Sequence, residues 1–240
     1  MKKTLPEIRQ YINEGVYDPG IFKAFFLAGG PGSGKTFVTQ SAFAGTGLKV
    51  VNSDAAFERG LKQANLSLKM PDVEEYFRNL VRTRAKMTAA TMLDTYIEGR
   101  LGLVIDATGR DLNVVQNQYA RLRNLGYDCY MVFVNTSLNV ALERNKTRVR
   151  SIPEYIVQKS WQGVQANIGT FQRMFSPNKM LIIDNNRTEE ELVTKVLSTA
   201  SRFIRSRLTT KPENGIAISW IKKELEAKKR IWDLKILMKQ

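Results

Sequence analysis

The chain has 240 residues, of which 43% are hydrophobic and 25% are charged, so it can bury the core of one globular domain and is too apolar to be disordered. It has no histidine and a single cysteine, Cys129, which excludes a Ser-His-Asp triad, histidine metal ligands, a disulfide framework and a cysteine zinc site. The net charge of +14 favours polyanionic partners such as nucleic acid, nucleotides or an anionic surface.

The first residues and the longest apolar stretches bear on the location of the protein. Residues 1–10 include Pro6, Glu7 and Arg9 where a signal peptide needs an apolar run, and no later stretch approaches the length of a membrane span. We therefore expect a soluble, cytoplasmic protein with no membrane partner. The sequence leaves the oligomeric state open.

Five short apolar segments are predicted to be β-strands. They lie at residues 23–28, 48–52, 101–106, 127–134 and 180–183. Strands that alternate with helices form a parallel sheet covered on both faces, because each crossover helix packs back onto the sheet. The sequence therefore predicts a three-layer α/β fold with about five parallel strands.

Helix start signals fall between these strands. A hydroxyl residue three positions before a glutamate fits a capping box, as at Thr4 with Glu7 and at Thr188 with Glu191. Proline and aspartate mark the other starts. The main predicted helices run from Pro71 towards Arg100, from Asp111 to a stop at Gly126, from Pro153 to about Phe175 and from Thr188 to about Arg205.

The last part of the chain is strongly basic. Residues 202–240 contain 11 basic and 4 acidic residues and so supply half of the net charge. We expect a domain over residues 1–208, then a polar linker and a basic amphipathic helix within residues 209–240. An apolar stripe on that helix, Ala217, Ile221, Leu225, Trp232 and Ile236, is predicted to dock on the protein's own core. The lysine face is either a solvated surface or a contact for nucleic acid.

The strongest chemical signal follows the first predicted strand, where residues 29–36 satisfy G-x-x-x-x-G-K-S/T before a predicted helix. The glycines let backbone amides approach phosphate oxygens, and the helix N-terminus adds its positive end. Lys35 would place a cation on the β and γ phosphates, and the Thr36 hydroxyl would ligate Mg²⁺. The predicted site for ATP and Mg²⁺ consists of Gly29, Gly30, Pro31, Gly32, Ser33, Gly34, Lys35 and Thr36.

Two aspartates follow predicted strands at the edge where ligands bind in an open parallel sheet. Asp54 comes after the second strand and Asp106 ends the third. A kinase needs one carboxylate to take the proton of the acceptor hydroxyl and usually another to organise Mg²⁺. The alternative interpretation is that they are turn residues or helix caps, and Asp54 is well placed for a cap.

An arginine-rich segment precedes Pro153. Arg144, Arg148 and Arg150 fall within seven residues between two predicted helices. Guanidinium groups suit the charge that develops on a transferred phosphoryl group, so the segment is predicted to be a lid, with Arg144 and Arg148 as catalytic residues. A surface charge cluster is the alternative.

With these motifs, residues 25–183 resemble the polynucleotide kinase and zeta-toxin group of P-loop kinases, and the phage-type polynucleotide 5′-kinase domain most of all. The resemblance implies a P-loop kinase fold with an arginine lid. The segment Asn52-Ser53-Asp54 is similar to the family's Asn-x-Asp segment, which implies that Asp54 is the general base. Residues 144–148, followed by Ile152-Pro153, look very similar to the family's lid.

The substrate-binding residues are matched less closely. Asp106 and Thr108 loosely match the pair that meets the substrate in that family. Phe57 stands where polynucleotide kinases have an arginine for the nucleic acid phosphate, and Arg59 or Arg110 is a possible replacement. The predicted substrate-binding residues are Asp106, Thr108 and Arg110.

Three functions are consistent with these features. The first is an ATP-dependent kinase acting on a hydroxyl of a nucleic acid 5′ end or a nucleotide. The second is a zeta-like sugar-nucleotide kinase or a nucleoside monophosphate kinase. The third is a nucleic-acid-associated assembly or switch protein that binds ATP, although such a protein needs neither Asp54 nor an arginine lid.

Overall fold

The computed structural model describes residues 15–106, 108–148, 151–186 and 190–237, without the side chains of 190–192 and 235–237. Its strands are β1 Lys23–Ala28, β2 Lys49–Val51, β3 Leu103–Asp106, β4 Asp128–Asn135 and β5 Met180–Asp184. Its helices are α1 Lys35–Ala42, α2 Asp54–Gln63, α3 Glu75–Glu98, α4 Leu112–Asn124, α5 Leu138–Lys146, α6 Glu154–Phe175, α7 Glu190–Leu208 and α8 Gly215–Leu237.

The five strands form one parallel sheet in the order β2-β3-β1-β4-β5. β1 lies in the centre, and all six of its residues are buried. Its alternating side chains enter two cores: Phe26 packs with α3, α4, α6 and α8, whereas Phe25 packs with α1 and α7. The three-layer α/β prediction is confirmed.

The predicted elements agree with the structure apart from their ends. β2 is shorter than residues 48–52, because Leu48 and Asn52 fall outside its ladder, and β3 begins at Leu103 rather than at residue 101. Asp111 caps α4 as predicted, with its Oδ1 accepting a hydrogen bond from the Val114 amide at 3.3 Å. The starts predicted at Thr4 and Thr188 lie outside the described residues.

A buried ion pair joins the amino ends of β1 and β4. Lys23 Nζ lies 3.0 Å from Asp128 Oδ2, and both side chains are fully buried. The same carboxylate oxygen accepts a hydrogen bond from the Glu213 amide at 2.8 Å, and Lys23 also donates to the Lys211 carbonyl at 3.4 Å. The buried side chains of Lys23 and Asp128 therefore fix the linker before α8 to the sheet.

The first two turns of α8 dock on the core. Ala217 is fully buried, and the Trp220 ring meets the edge of Phe22 with a 5.5 Å separation of ring centroids. The Arg100 guanidinium lies 4.9 Å from the Trp220 ring. Leu225 and Trp232 further along the predicted stripe are only partly buried, and the Ile236 side chain lies outside the described residues. The division at residue 208 stays a prediction.

We expect Trp220→Ala to lower the free energy of unfolding by about 2 kcal/mol, because a partly buried tryptophan loses its packing on Phe22 and Arg100. Leu234→Ala is the control, since Leu234 is on the same helix and is 59% exposed. It should change stability by less than about 0.5 kcal/mol. Chemical denaturation of the two variants measures the difference, and equal losses would contradict docking through the first turns.

Candidate active site

The predicted phosphate-binding loop, residues 29–34, leaves the carboxyl end of the central strand. The Gly29 amide donates to the Thr108 carbonyl at 3.0 Å, which joins the loop to the segment after β3. α1 begins at Lys35 as predicted, with Gly34 in a left-handed conformation before it. The loop therefore lies where the positive end of α1 and the edge of the sheet meet.

Glycine is favoured at Gly32 and Gly34 of the loop by the backbone conformation and by close neighbours. Gly32 has a φ of +80°, and a Cβ atom there would collide with the Ala141 carbonyl of α5. Gly34 has a φ of +91°, and its Cβ would overlap the side-chain nitrogen of Asn185. The glycines thus serve close packing of the loop against α5 and β5 as well as the approach of a ligand to the backbone.

Side chains behind the loop hold its backbone. Asn185 Nδ2 donates to the Ser33 carbonyl at 2.7 Å, and Thr136 Oγ1 donates to the same carbonyl at 3.3 Å. Trp161 Nε1 on α6 in turn donates to the Thr136 carbonyl at 2.6 Å. These residues are not among those predicted from sequence, although Thr136 and Asn185 each directly follow a strand, which is also the signal for Asp54 and Asp106.

The loop has the properties that a phosphate site requires. Lys35 Nζ donates to the Gly29 carbonyl at 2.6 Å and approaches that of Gly30 at 3.5 Å, so its cation rests on neutral groups that an anion can outcompete. Burial lowers the pKa of Lys35, while Asp106 and Asp54 oppose that shift. Ser33 Oγ is buried and has no hydrogen-bond partner among the described residues. These features fit a bound phosphate chain.

Asn52 links the two predicted acids. Its Oδ1 accepts a hydrogen bond from the Asp54 amide at 2.6 Å, and its Nδ2 donates to Asp106 Oδ2 at 2.7 Å. Burial raises the pKa of Asp106, and the charge of Asp54 adds to this effect, whereas Lys35 and the bond from Asn52 oppose it. Both carboxylates and Lys35 therefore line one cleft, and the charges of the two aspartates interact with the Lys35 ammonium.

The structure shows that Asp54 is not the N-cap residue of α2. Ser53 occupies the N-cap of α2 and makes no side-chain capping bond, and Asp54 is the first helical residue. A carboxylate at that position is favoured by the helix dipole. Asp54 still lies on the cleft, so a favourable place in the helix and a role in chemistry are compatible.

Arg144 and Arg148 of the arginine segment lie in different environments. Arg148 lines the cleft, and its charge lowers the pKa of Lys35 further. Arg144 lies in the last turn of α5, rather than between two helices as expected, and its Nη1 donates to the Asn185 carbonyl at 2.9 Å. It is not among the residues that line the cleft. Arg150 lies outside the described residues.

Asn145, in the last turn of α5, is hydrogen-bonded to the backbone of Ile152, which follows the arginine segment. Its Oδ1 accepts from the Ile152 amide at 3.2 Å and its Nδ2 donates to the Ile152 carbonyl at 2.7 Å. Asn145 is only 3% exposed, so this reciprocal pair is shielded from water. These two bonds therefore join the residues on either side of the arginine segment.

The predicted substrate-binding residues lie along one side of the cleft. The Arg110 side chain packs against Gly163 of α6, and its Nη1 donates a hydrogen bond to Ser160 Oγ at 3.4 Å. Thr108 lines the cleft beside it. Arg59 is exposed and does not line the cleft, so of the two proposed replacements for the arginine absent at Phe57, only Arg110 faces the site.

Another arginine occupies the neighbourhood of Phe57. The Arg82 guanidinium on α3 lies 4.1 Å from the centroid of the buried Phe57 ring, at the distance of a cation–π contact. Arg82 also lines the cleft. Arg82 is not among the residues predicted from sequence, because α3 is separated from α2 by residues 64–74, whose path the sequence does not predict.

The cleft has a volume of about 830 Å³ and extends from the loop to α3 and α4. In the part of the chain that the structure describes, no group of three or more acidic, histidine or cysteine side chains is arranged to hold a metal. The exposed Thr36 hydroxyl, Asp54 and Asp106 are among the oxygen ligands in the cleft that suit Mg²⁺. Within the same residues, no helix combines the length and apolarity that crossing a membrane requires.

Comparison with known proteins identifies the family. Residues 25–171 match the family model AAA_33, described as an AAA domain, over more than half of the chain. The chain belongs to this family. The match begins in β1 and ends in α6, so it includes the loop, both aspartates and the arginine segment. No curated protein sequence matches significantly.

Solved structures share the fold at low sequence identity. A chain of the AvrRxo1-ORF1:-ORF2 complex with ATP has 12% identity and a TM-score of 0.52, with 82% of this chain and 79% of that chain covered. A chain of the PezAT toxin-antitoxin system of Streptococcus pneumoniae has 15% identity and a TM-score of 0.50, with 86% and 98% covered. A candidate kinase from Chloroflexus aurantiacus J-10-fl has 15% identity and a TM-score of 0.50, with 77% and 96% covered. The P-loop kinase-like fold is thereby confirmed.

Gly32→Ala tests whether the loop's packing is as tight as described. We expect a loss of stability of about 3 kcal/mol or more, because a left-handed alanine is strained and its Cβ collides with α5. Gly45→Ala is the matched control, since Gly45 has a φ of +69° and open space around it. It should lose only about 1 kcal/mol, and thermal unfolding that fails to separate the two variants would contradict the collision.

Proposed function

We propose that the protein is an ATP-dependent kinase that transfers the γ-phosphoryl group to a hydroxyl on a nucleic acid 5′ end or a nucleotide. The observation that carries the proposal is the convergence of Lys35, Asp54, Asp106 and Arg148 on one cleft at the carboxyl edge of the sheet. A loop that only binds nucleotide does not need a pair of acids opposite its lysine.

The loop residues would hold the phosphates. The positive N-terminus of α1 favours anions, and Lys35 exchanges its carbonyl contacts for phosphate oxygens. The rigid support behind Ser33 means that little reorganisation is needed on binding. Mg²⁺, when bound by Thr36, supplies charge that neutralises the phosphates during transfer.

The two aspartates have different environments, which suits different roles. Asp106 is the more buried acid and shares a hydrogen bond with Asn52, so it is suited to fixed interactions with Mg²⁺ or the acceptor. Asp54 is exposed at the start of α2 and can meet an incoming hydroxyl. We propose Asp54 as the general base and Asp106, Thr108 and Arg110 as acceptor-binding residues.

Arginines would stabilise the transferred group. Arg148 already faces the cleft beside Lys35 and can contact the equatorial phosphoryl oxygens. Arg144 would have to leave the Asn185 carbonyl to reach them, or else act by holding Asn185 behind the loop. We propose a direct role for Arg148 and a direct or supporting role for Arg144.

Phosphotransfer is tested by incubating the protein with γ-labelled ATP, Mg²⁺ and a panel of acceptors. The panel contains 5′-hydroxyl DNA and RNA, nucleoside monophosphates and UDP-sugars. We expect label in 5′-hydroxyl strands or nucleotides and loss of at least about a hundredfold in Lys35→Ala, which lacks the cation on the phosphates. Lys62→Ala is the control, because Lys62 is an exposed lysine of α2 that does not line the cleft. Transfer that is equal in both variants would contradict the site, and label in UDP-sugars alone would contradict the acceptor.

Asp54→Asn should lower kcat by about a hundredfold or more with little change in ATP affinity, because it removes the proton acceptor. Glu58→Gln is the matched control, one helical turn further along α2 and paired only with Lys62 among the described residues. If Asp54 acts only at the helix start, Asp54→Asn should instead lose stability with normal kcat. If Asp106→Asn abolishes transfer and Asp54→Asn does not, their roles are exchanged.

A further inference from the structure

The outer face of α3 carries a stripe of exposed apolar side chains. Alternating steps of four and three residues place six side chains on one line along the helix and the turn before it, and we call them the outer stripe: Val73, Phe77, Leu80, Arg84, Met87 and Thr91. Val73 is 91% exposed, Phe77 60% and Met87 66%. The cleft is lined by residues on the other side of the helix, among them Lys86, Ala89 and Leu93.

The apolar part of the stripe is continuous. Tyr76 lies at its edge with 70% of its surface exposed, and its ring meets the edge of Phe77 with 5.3 Å between ring centroids. Single exposed apolar residues are ordinary, whereas a contiguous apolar patch on a soluble domain marks an interaction site. From Val73 to Met87 the patch is about 20 Å long.

Threonines beside and on the stripe add to its apolar character. Thr83, Thr88 and Thr91 each donate their hydroxyl hydrogen to the carbonyl four residues earlier, at 3.0, 3.1 and 3.2 Å. A hydroxyl that bonds its own helix leaves the methyl group of the same side chain for contact with a neighbour. The outer face of α3 therefore offers a packing surface more than a set of hydrogen-bond donors.

The charges near the stripe favour a protein partner over a polyanion. Arg84 is the one cation among the six stripe residues, and the acidic side chains Asp72, Glu74 and Glu75 stand at the start of the helix. A nucleic acid strand or an anionic lipid surface would meet these carboxylates and be repelled. Heptad spacing of apolar side chains is instead the pattern that packs against another helix.

The stripe complements itself when two copies pair antiparallel. Leu80 lies midway between Tyr76 and Arg84, so a two-fold axis at Leu80 brings each Arg84 guanidinium to the Tyr76 ring of the other copy, where a cation–π contact can form. A parallel pair would instead place the two Arg84 cations side by side. Antiparallel pairing also brings together opposite ends of the two helix dipoles.

The exposed area is sufficient for a reversible dimer. Packed aromatic side chains bury roughly 150–250 Å², so Tyr76 and Phe77 each leave on the order of 100 Å² exposed. With Val73, Leu80 and Met87 included, two copies together carry on the order of 1,000 Å² of exposed apolar surface, near the lower limit of specific interfaces. Such an interface forms and dissociates readily.

We propose that the outer stripe of α3 binds a second copy of this chain, in an antiparallel helix pair whose two-fold axis passes close to Leu80. Each copy covers the apolar stripe of the other, and Arg84 of each copy meets Tyr76 of the other. Because the cleft lies on the opposite side of α3, both clefts stay open to solvent in the dimer. The dimer does not depend on the proposed kinase activity.

Sedimentation velocity of the full chain tests the dimer over concentrations of about 1 to 100 µM. We expect the mass to rise from 27.3 kDa towards twice that value. Added salt should strengthen the dimer, because it screens the repulsion between two copies that each carry a net charge of +14, whereas it would weaken binding to a polyanion. A mass that stays at 27.3 kDa throughout overturns the proposal.

A charge exchange tests the antiparallel register. Tyr76→Arg should raise the Kd of the dimer at least about tenfold, because it sets two cations against each other at both ends of the pair. Adding Arg84→Glu should restore the dimer, since each new carboxylate then faces a new cation of the other copy. The two positions are about 12 Å apart along one helix, so the rescue cannot arise within a single chain.

Ile231→Glu is the control for this exchange, because Ile231 is an exposed isoleucine of α8. It should leave the Kd of the dimer unchanged, and the melting temperature of each variant shows whether it is folded. Loss of the dimer in Ile231→Glu would move the interface to α8 and contradict the proposal. A folded double variant that stays monomeric would contradict the antiparallel register.

Crosslinking locates the two-fold axis. The single native cysteine, Cys129, is buried, so an added surface thiol is the reactive one. Leu80→Cys should form a disulfide-linked dimer with diamide, because the axis brings the two thiols together. Thr91→Cys, about 16 Å further along the same stripe, should not, since its two thiols lie about 33 Å apart in an antiparallel pair. Equal crosslinking of both variants, or crosslinking of Thr91→Cys alone, contradicts the proposed axis.

Discussion

The site depends on the position of β1 in the middle of a parallel sheet. Because β3 and β4 flank β1, the loop that leaves its carboxyl end emerges between the segments that follow both neighbours. Thr108 after β3 binds the Gly29 amide, and Thr136 after β4 binds the Ser33 carbonyl. A strand at the sheet edge would have only one such neighbour, and its loop would lack support on the other side.

Polar groups are buried at both ends of the sheet, with different consequences. At the amino end, Lys23 and Asp128 pair with each other and fix the linker before α8, so removal of either would leave a buried charge unpaired. At the carboxyl end, Lys35 donates only to backbone carbonyl groups, and Ser33 Oγ lacks a hydrogen-bond partner among the described residues. The charges at the amino end are therefore paired within the protein, whereas the groups at the carboxyl end suit an anion.

The sequence predicted the elements well and the contacts between them poorly. Strands were found to within two residues, because each is a short apolar run flanked by turn or cap residues. The loop, Asp54 and Asp106 followed from the rule that ligands bind beyond strand ends. Asn185 fits the same rule and was overlooked. Arg82 on Phe57 and Lys23 with Asp128 could not be predicted, because each pair depends on packing between distant segments, 105 residues apart in the second case.

α3 shows why the lining of the cleft is harder to predict from sequence than the phosphate loop. Its cations are spaced like the exposed row of any solvated helix, and nothing in their pattern distinguishes Arg82 and Lys86 from Arg84. Two contacts set which face of α3 turns towards the cleft: Ala85 packs with Phe57 and Leu61 of α2, and Leu93 packs in the core beside the sheet. The residues that α3 contributes to the cleft are therefore decided by tertiary packing, which their spacing along the sequence does not reveal.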